Sequence, residues 1–127
     1  MIVVGLVLAA VAALVHCFIF YLESIAWTSP RARAAFGTTE ETAEITRPLA
    51  LNQGFYNLFL AIAVAAGIAV FGPARTVGAT LIYAGVVSMV AAAAVLVISD
   101  RTKARAAAIQ GTAPLLAIVA LTVGLAA

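Results

Sequence analysis

Four apolar stretches, each long enough to cross a lipid bilayer, take up most of this chain. They cover approximately residues 2–27, 48–71, 76–99 and 104–126, and about 20 apolar helical residues cross the hydrocarbon core. Of the 127 residues, 65% are hydrophobic and 9% are charged. A soluble domain of this size could not bury so much apolar surface. The sequence therefore predicts an all-α fold, an integral membrane four-helix bundle that forms one transmembrane domain, 1–127.

The only sizeable segment predicted outside the bilayer is the first loop, residues 28–46. Within it, Thr38-Thr39-Glu40-Glu41 resembles a capping box, so a short interfacial helix is expected near residues 39–45. Pro48 suits the first turn of the second spanning helix, because an N–H at that position has no helical partner to lose. The loop is therefore expected to end where that helix begins.

The basic residues indicate how the bundle is oriented. Six of the seven flank the first and third loops, and they are Arg31, Arg33, Arg47, Arg101, Lys103 and Arg105. Arg75, in the second loop, is the seventh. The positive-inside rule then predicts an up-down-up-down bundle with loops one and three in the cytoplasm and both termini outside. It also accounts for the net charge of +2, so no nucleic-acid partner is expected.

The first apolar stretch differs from a secretory signal. Met1 leads directly into an apolar run with no basic residue before it, and the run is longer than a signal core. We therefore expect a retained helix. Cys17 is the only cysteine, which excludes disulfides within the chain and cysteine-cluster metal sites. No metal is expected.

Several polar side chains fall inside the predicted spans, where such groups are costly and usually face the protein interior. They are His16, Glu23, Asn52, Gln53, Tyr56, Asn57 and Gln110. Counted at about 1.5 Å per residue from the cytoplasmic ends, all of them fall in the cytoplasmic half. The predicted cluster has two layers. The layer nearer the cytoplasm comprises Glu23, Asn52, Gln53 and Gln110, and the deeper layer comprises His16, Tyr56 and Asn57.

Two interpretations of this cluster stay open. It is either a ligand-binding or proton-handling site, or a set of interhelical hydrogen bonds that hold the bundle, each worth about 1 kcal/mol. No catalytic residue can be assigned, because the sequence has no nucleophile–base pair and no nucleotide-binding loop. No cofactor is expected, and a single histidine cannot ligate haem with two imidazoles within one chain.

Parts of the sequence resemble a known family. The run from Leu22-Glu23 to Arg33, then Phe36-Gly37-Thr38-Thr39, and above all the segment Leu51-Asn52-Gln53-Gly54-Phe55-Tyr56-Asn57 are similar to the small bacterial membrane proteins known as domain of unknown function 1304. The resemblance implies four spans in the bacterial inner (plasma) membrane. It carries the family's motif onto the candidate residues and Gly54, and it brings no activity.

Three functions fit these observations. The first is binding or transport of an unknown small or amphipathic molecule, with Glu23 handling a proton. The second is an accessory or structural subunit of a larger membrane complex. The third, a membrane enzyme acting on a lipid-soluble substrate, is the least favoured. The expected partners are the lipid bilayer and either a second copy, as a homodimer, or a larger complex.

Overall fold

Helices joined by short turns make up the computed structural model, which describes residues 1–127. The elements are α1 (Ile2–Phe20), continued by a π-helical turn (Tyr21–Ile25), α2 (Pro30–Phe36), α3 (Glu40–Val70), α4 (Arg75–Ser99), a 3₁₀ turn (Arg101–Lys103) and α5 (Ala104–Ala126). By length and composition, four of these helices could cross a membrane: α1 with its π-helical turn, α3, α4 and α5 with its 3₁₀ turn. The predicted all-α architecture with four long apolar helices is confirmed.

The four long helices pack as a ring. α1 and α4 lie opposite each other, and each packs against both α3 and α5. The core between them is made largely of small and branched residues: Ala9, Ala12, Ala61, Val64, Val86, Met89, Ala117 and Leu121. Small side chains let helix backbones approach closely, which is the main source of attraction between helices in lipid.

The backbones of α3 and α4 approach each other closely beside the turn that joins them. A Cβ atom on Gly78 would lie 2.6 Å from Cα of Phe71, and one on Gly67 would lie 2.8 Å from the carbonyl oxygen of Gly78. No larger residue fits at either position without moving a backbone. The two glycines therefore set the spacing of this hairpin.

The predicted start of the second long helix is wrong. α3 begins at Glu40, and Pro48 lies inside it rather than in its first turn. Thr39 starts the helix, since its hydroxyl accepts a 3.1 Å hydrogen bond from the amide of Thr42. The ring of Pro48 is exposed, so it does not clash with a neighbouring helix. The short helix predicted near residues 39–45 is thus the beginning of α3.

Helix α2 occupies part of the predicted loop and was missed. Ser29 is its N-cap, accepting a 3.2 Å hydrogen bond from the amide of Ala32, and Pro30 follows in the first turn. Gly37 ends the helix with φ of 67°, in the left-handed region. Serine before proline at the start and glycine just past the end are the usual signals of helix boundaries.

Trp27 connects the end of the first spanning helix to the segments that follow. Its indole Nε1 donates hydrogen bonds to the carbonyl oxygen of Ala43 over 3.0 Å and to Oγ1 of Thr46 over 3.2 Å. Its ring centroid is 5.0 Å from that of Phe36. The start of α3 and the end of α2 are therefore both held against the end of the π-helical turn.

Candidate functional site

Glu23 and Asn57 form a hydrogen-bonded pair inside the bundle. Nδ2 of Asn57 donates to Oε2 of Glu23 over 2.8 Å, and to the carbonyl oxygen of Gln53 over 3.2 Å. Only 9% of Glu23 and 8% of Asn57 are exposed. This hydrogen bond gives each of the two buried polar groups a hydrogen-bond partner. This contact lies between the end of the first spanning helix and the middle of α3.

The carboxyl group of Glu23 projects from the π-helical turn. The turn is closed by the amide of Ala26, which donates to the carbonyl oxygen of Tyr21, five residues earlier, over 2.9 Å. Such a turn is wider than an α-helical one and changes the direction in which its side chains point. Ala26, the next residue, has φ of −112° and ψ of 20°, outside the helical region, so the π-helical turn is the end of this helix.

Helix α3 approaches this turn closely because residue 54 is glycine. A Cβ atom on Gly54 would lie 3.1 Å from both Cβ of Glu23 and the backbone nitrogen of Ser24, and would overlap the Ser24 hydroxyl. That hydroxyl donates a 2.9 Å hydrogen bond to the carbonyl oxygen of Leu51. The contact fixes the π-helical turn against α3 beside the Glu23–Asn57 pair.

His16 is the most deeply buried of the candidate residues, with 1% of its surface exposed. Its Nδ1 lies 2.9 Å from the carbonyl oxygen of Ala12. A carbonyl oxygen only accepts, so Nδ1 carries the hydrogen of this bond, and Nε2 of a neutral ring is an acceptor. The hydrogen bond to Ala12 is thus made by Nδ1 and leaves the acceptor nitrogen of the ring unused by it.

No basic side chain compensates Glu23. The one salt bridge of the chain joins Arg33 to Glu40 over 3.4 Å, at the surface. Charged groups inside a spanning segment usually pair with each other or with backbone carbonyls. Glu23 has Asn57 as its only side-chain partner. The site can therefore accept hydrogen bonds, meet a cation or hold a proton at the carboxyl group.

The predicted two-layer arrangement differs from the structure. Asn57, predicted to lie beside His16, is the partner of Glu23. The side chains of Asn52, Gln53 and Tyr56 are exposed on the outer side of α3. Depth along a helix does not determine which side of the helix a residue faces, and this accounts for the difference. The role of all these residues in ligand binding or proton handling stays a prediction.

Gln110 lies apart from the pair, in a cleft of about 560 Å³ between α1, α2, the end of α4 and the start of α5. Lys103 and Arg105 also line this cleft. Sequence reasoning used these two residues only as markers of orientation. Arg105 lies at the start of the same helix as Gln110 and Lys103 directly precedes that helix, and this position was the signal that could have associated them with it.

Comparison with known proteins agrees with the resemblance noted in the sequence. The family described as "Protein of unknown function (DUF1304)" matches residues 10–122. No curated protein and no solved structure gives a significant match. The matched region includes every candidate residue and nearly the whole bundle, so the chain belongs to the DUF1304 family.

Proposed function

We propose that this protein spans the bacterial inner membrane four times, up-down-up-down, and binds or transports a small or amphipathic molecule. In this proposal loops one and three are cytoplasmic and both termini are outside. The support for this orientation is the distribution of basic residues, six of which flank those two loops. Glu23 is the residue that meets the molecule or exchanges a proton with it.

The observation that carries the proposal is the buried carboxyl group of Glu23, which has no basic partner. An ionisable residue inside a spanning segment is expensive and marks substrate paths or proton relays in many membrane proteins. Asn57 contacts Oε2, and a carboxylate has two oxygens that together accept about four hydrogen bonds. Oε1 is thus available to a ligand or a proton.

His16 adds a second polar group to the same part of the bundle. It precedes Glu23 by seven residues, a distance of about 10 Å along a helix. Both side chains are buried, and the hydrogen bond to Ala12 leaves the acceptor nitrogen of the His16 ring unused by it. A polar molecule or a proton could therefore meet two successive contacts along α1.

Native mass spectrometry of gently extracted protein tests the proposal. We expect a stoichiometric non-lipid ligand on the unmodified protein, with an occupancy that changes with pH. Glu23→Gln should lower the occupancy at least tenfold or remove its dependence on pH. Glu44→Gln is the matched control, because it makes the same change at an exposed position. A ligand-free protein, or occupancy and pH dependence unaltered by Glu23→Gln, would contradict the proposal.

A second candidate function, that of an accessory subunit, is favoured by the outer side of α3. Asn52, Gln53 and Tyr56 are exposed there, and 57% of Tyr56 is accessible. Amide groups that face lipid lack hydrogen-bond partners, so a neighbouring chain would satisfy them. Under this alternative, Asn52→Leu with Tyr56→Phe should release a partner or lower the subunit count in native mass spectra, while ligand occupancy stays unchanged.

A further inference from the structure

We infer that the cleft between α1, α2 and α5 binds a single-chain amphipathic anion, a carboxylate of the fatty-acid type. The chain lies along the apolar walls of the cleft, and the head group lies at Lys103 and Arg105. This inference goes beyond the proposed function, because the cleft is lined by neither Glu23 nor Asn57 and takes a ligand of its own.

The walls of the cleft suit a hydrocarbon chain. Phe18 and Ile19 of α1 form one side together with Leu22 of the π-helical turn. Leu96 and Ile109 extend the surface onto α4 and α5. The volume of about 560 Å³ is in the range of pockets that enclose small ligands, roughly 300–1,000 Å³. A hydrocarbon chain that moves from lipid into the cleft stays in apolar surroundings, so close van der Waals packing and the head-group contacts supply the binding free energy.

Helix α2 distinguishes this cleft from an ordinary lipid-facing groove. Residues 34–37, at the end of α2, line one side of the cleft. Lys103 donates a hydrogen bond to the carbonyl oxygen of Phe36, and the Phe36 ring packs against Trp27. Both contacts fix the end of α2 over the cleft. This wall limits the width of the opening and favours one chain over two.

Positive charge is concentrated at one end of the cleft. Lys103 and Arg105 line it, and no acidic residue does. The ammonium group of Lys103 has three N–H donors, one of which donates to the carbonyl oxygen of Phe36. Arg105 forms no ion pair within the chain. An anionic head group would therefore meet several free donors.

Asp100 is the acidic group near this end, and it does not neutralise the site. Its Oδ1 accepts hydrogen bonds from the hydroxyl of Thr102 over 2.6 Å and from the amide of Thr102 over 2.9 Å. These bonds, with the nearby charge of Lys103, hold the pKa of Asp100 below its ordinary value. One carboxylate faces the two cations that line the cleft, so the net charge there is positive.

Gln110 supplies a polar contact further along the cleft. It follows Arg105 by five residues, which is about 7.5 Å of rise along α5, and it is half-buried. Its amide could donate to a carboxylate that enters past the two basic residues. A carboxylate bound between Arg105 and Gln110 would leave the chain against Phe18 and Ile109.

Binding of hexadecanoate to the purified protein in a neutral detergent tests the inference. We expect one molecule per chain, bound at least tenfold more tightly than hexadecanol, which has the same chain without the charge. Lys103→Gln with Arg105→Gln should weaken hexadecanoate binding at least tenfold. Arg101→Gln is the matched control, since this exposed residue does not line the cleft. Ala106→Trp fills the cleft without removing a charge and should abolish binding even if the double variant does not fold.

Four outcomes would overturn the inference. The first is equal affinity for hexadecanoate and hexadecanol, and the second is hexadecanoate binding that the double variant leaves unchanged. The third is hexadecanoate binding retained by a folded Ala106→Trp variant. The fourth is displacement of hexadecanoate by an anionic phospholipid with two chains that binds with equal affinity. Glu23→Gln separates the inference from the proposed function. Hexadecanoate lost in Glu23→Gln but kept in the cleft variants refutes the cleft alone. Hexadecanoate lost in the cleft variants but bound normally by Glu23→Gln supports the cleft, and the role of Glu23 is then decided separately by the native mass spectra.

Discussion

The side-chain amide of Asn57 donates a 2.8 Å hydrogen bond to the carboxyl group of Glu23, a residue 34 positions earlier in the chain. The bond joins α3 to the π-helical turn. Asn57→Leu leaves the buried carboxyl group without its side-chain donor, and an unsatisfied buried polar group costs about 1–3 kcal/mol. We expect the free energy of unfolding in detergent to fall by about that amount.

A double-mutant cycle separates this bond from the loss of packing. Glu23→Leu with Asn57→Leu removes both polar groups, so the double variant should recover part of the stability that Asn57→Leu loses. If the two single effects simply add, the residues are not coupled and the bond does not stabilise the bundle.

Gly54→Ala should destabilise the bundle. The added Cβ would overlap the Ser24 hydroxyl and lie 3.1 Å from the Ser24 backbone nitrogen, and overpacking of this kind typically costs about 1–3 kcal/mol. Ser24→Gly in the same chain should restore part of the loss by removing the hydroxyl. Gly72→Ala is the control, because a Cβ there meets no atom within 4 Å. Equal thermal stability of the Gly54 and Gly72 variants would show that α3 does not pack closely on the π-helical turn.

The two adjacent threonines before α3 should respond in opposite ways to replacement by valine. Thr39 caps the helix, and loss of a cap costs about 0.5–2 kcal/mol, so Thr39→Val should lower the free energy of unfolding. The Thr38 hydroxyl is buried without a hydrogen-bond partner. Thr38→Val removes that unsatisfied group and should leave stability unchanged or raise it. Greater destabilisation by Thr38→Val would mean that α3 starts one residue earlier.

Single cysteines can test the proposed orientation. In a Cys17→Ser background, Glu44→Cys and Gly72→Cys each introduce one thiol at an exposed position, on either side of the predicted span 48–71. A membrane-impermeant maleimide added to intact spheroplasts should label the Gly72 variant. The Glu44 variant should react only after the membrane is opened. The reverse labelling pattern would place both termini in the cytoplasm.

Much of the fold could be predicted from the sequence, because four long apolar stretches admit few other arrangements. The errors lie in the first loop. The preference of proline for a first turn predicts a helix start at Pro48, but the cap at Thr39 lies nine residues earlier, and α3 continues through Pro48 although proline donates no backbone hydrogen bond there. Ser29-Pro30 and Gly37 are the usual boundary signals of a short helix, although residues 28–46 were predicted as a loop.

The candidate site was predicted in part. Burial of His16, Glu23 and Asn57 follows from the cost of polar groups inside a span. Asn57 also follows Gly54 by three residues and precedes Ala61 by four, a spacing typical of one buried helix face. Asn52 and Tyr56 do not share that spacing, which explains their exposure. The π-helical turn could not be predicted, because residues 21–25 contain no proline or glycine.

The π-helical turn makes the chain unusually tolerant of a change in length at one point. A π-helical turn contains an extra residue compared with an α-helical turn. Deleting one residue from Tyr21–Ile25 would restore α-helical geometry and leave His16 and Trp27 facing the sides that they face now. The same deletion earlier in α1 would rotate every preceding residue by about 100° relative to α3. The extra residue of the π-helical turn therefore lies beside the buried carboxyl group of Glu23. If the π-helical turn moved by one position along the helix, a different side chain would contact Asn57.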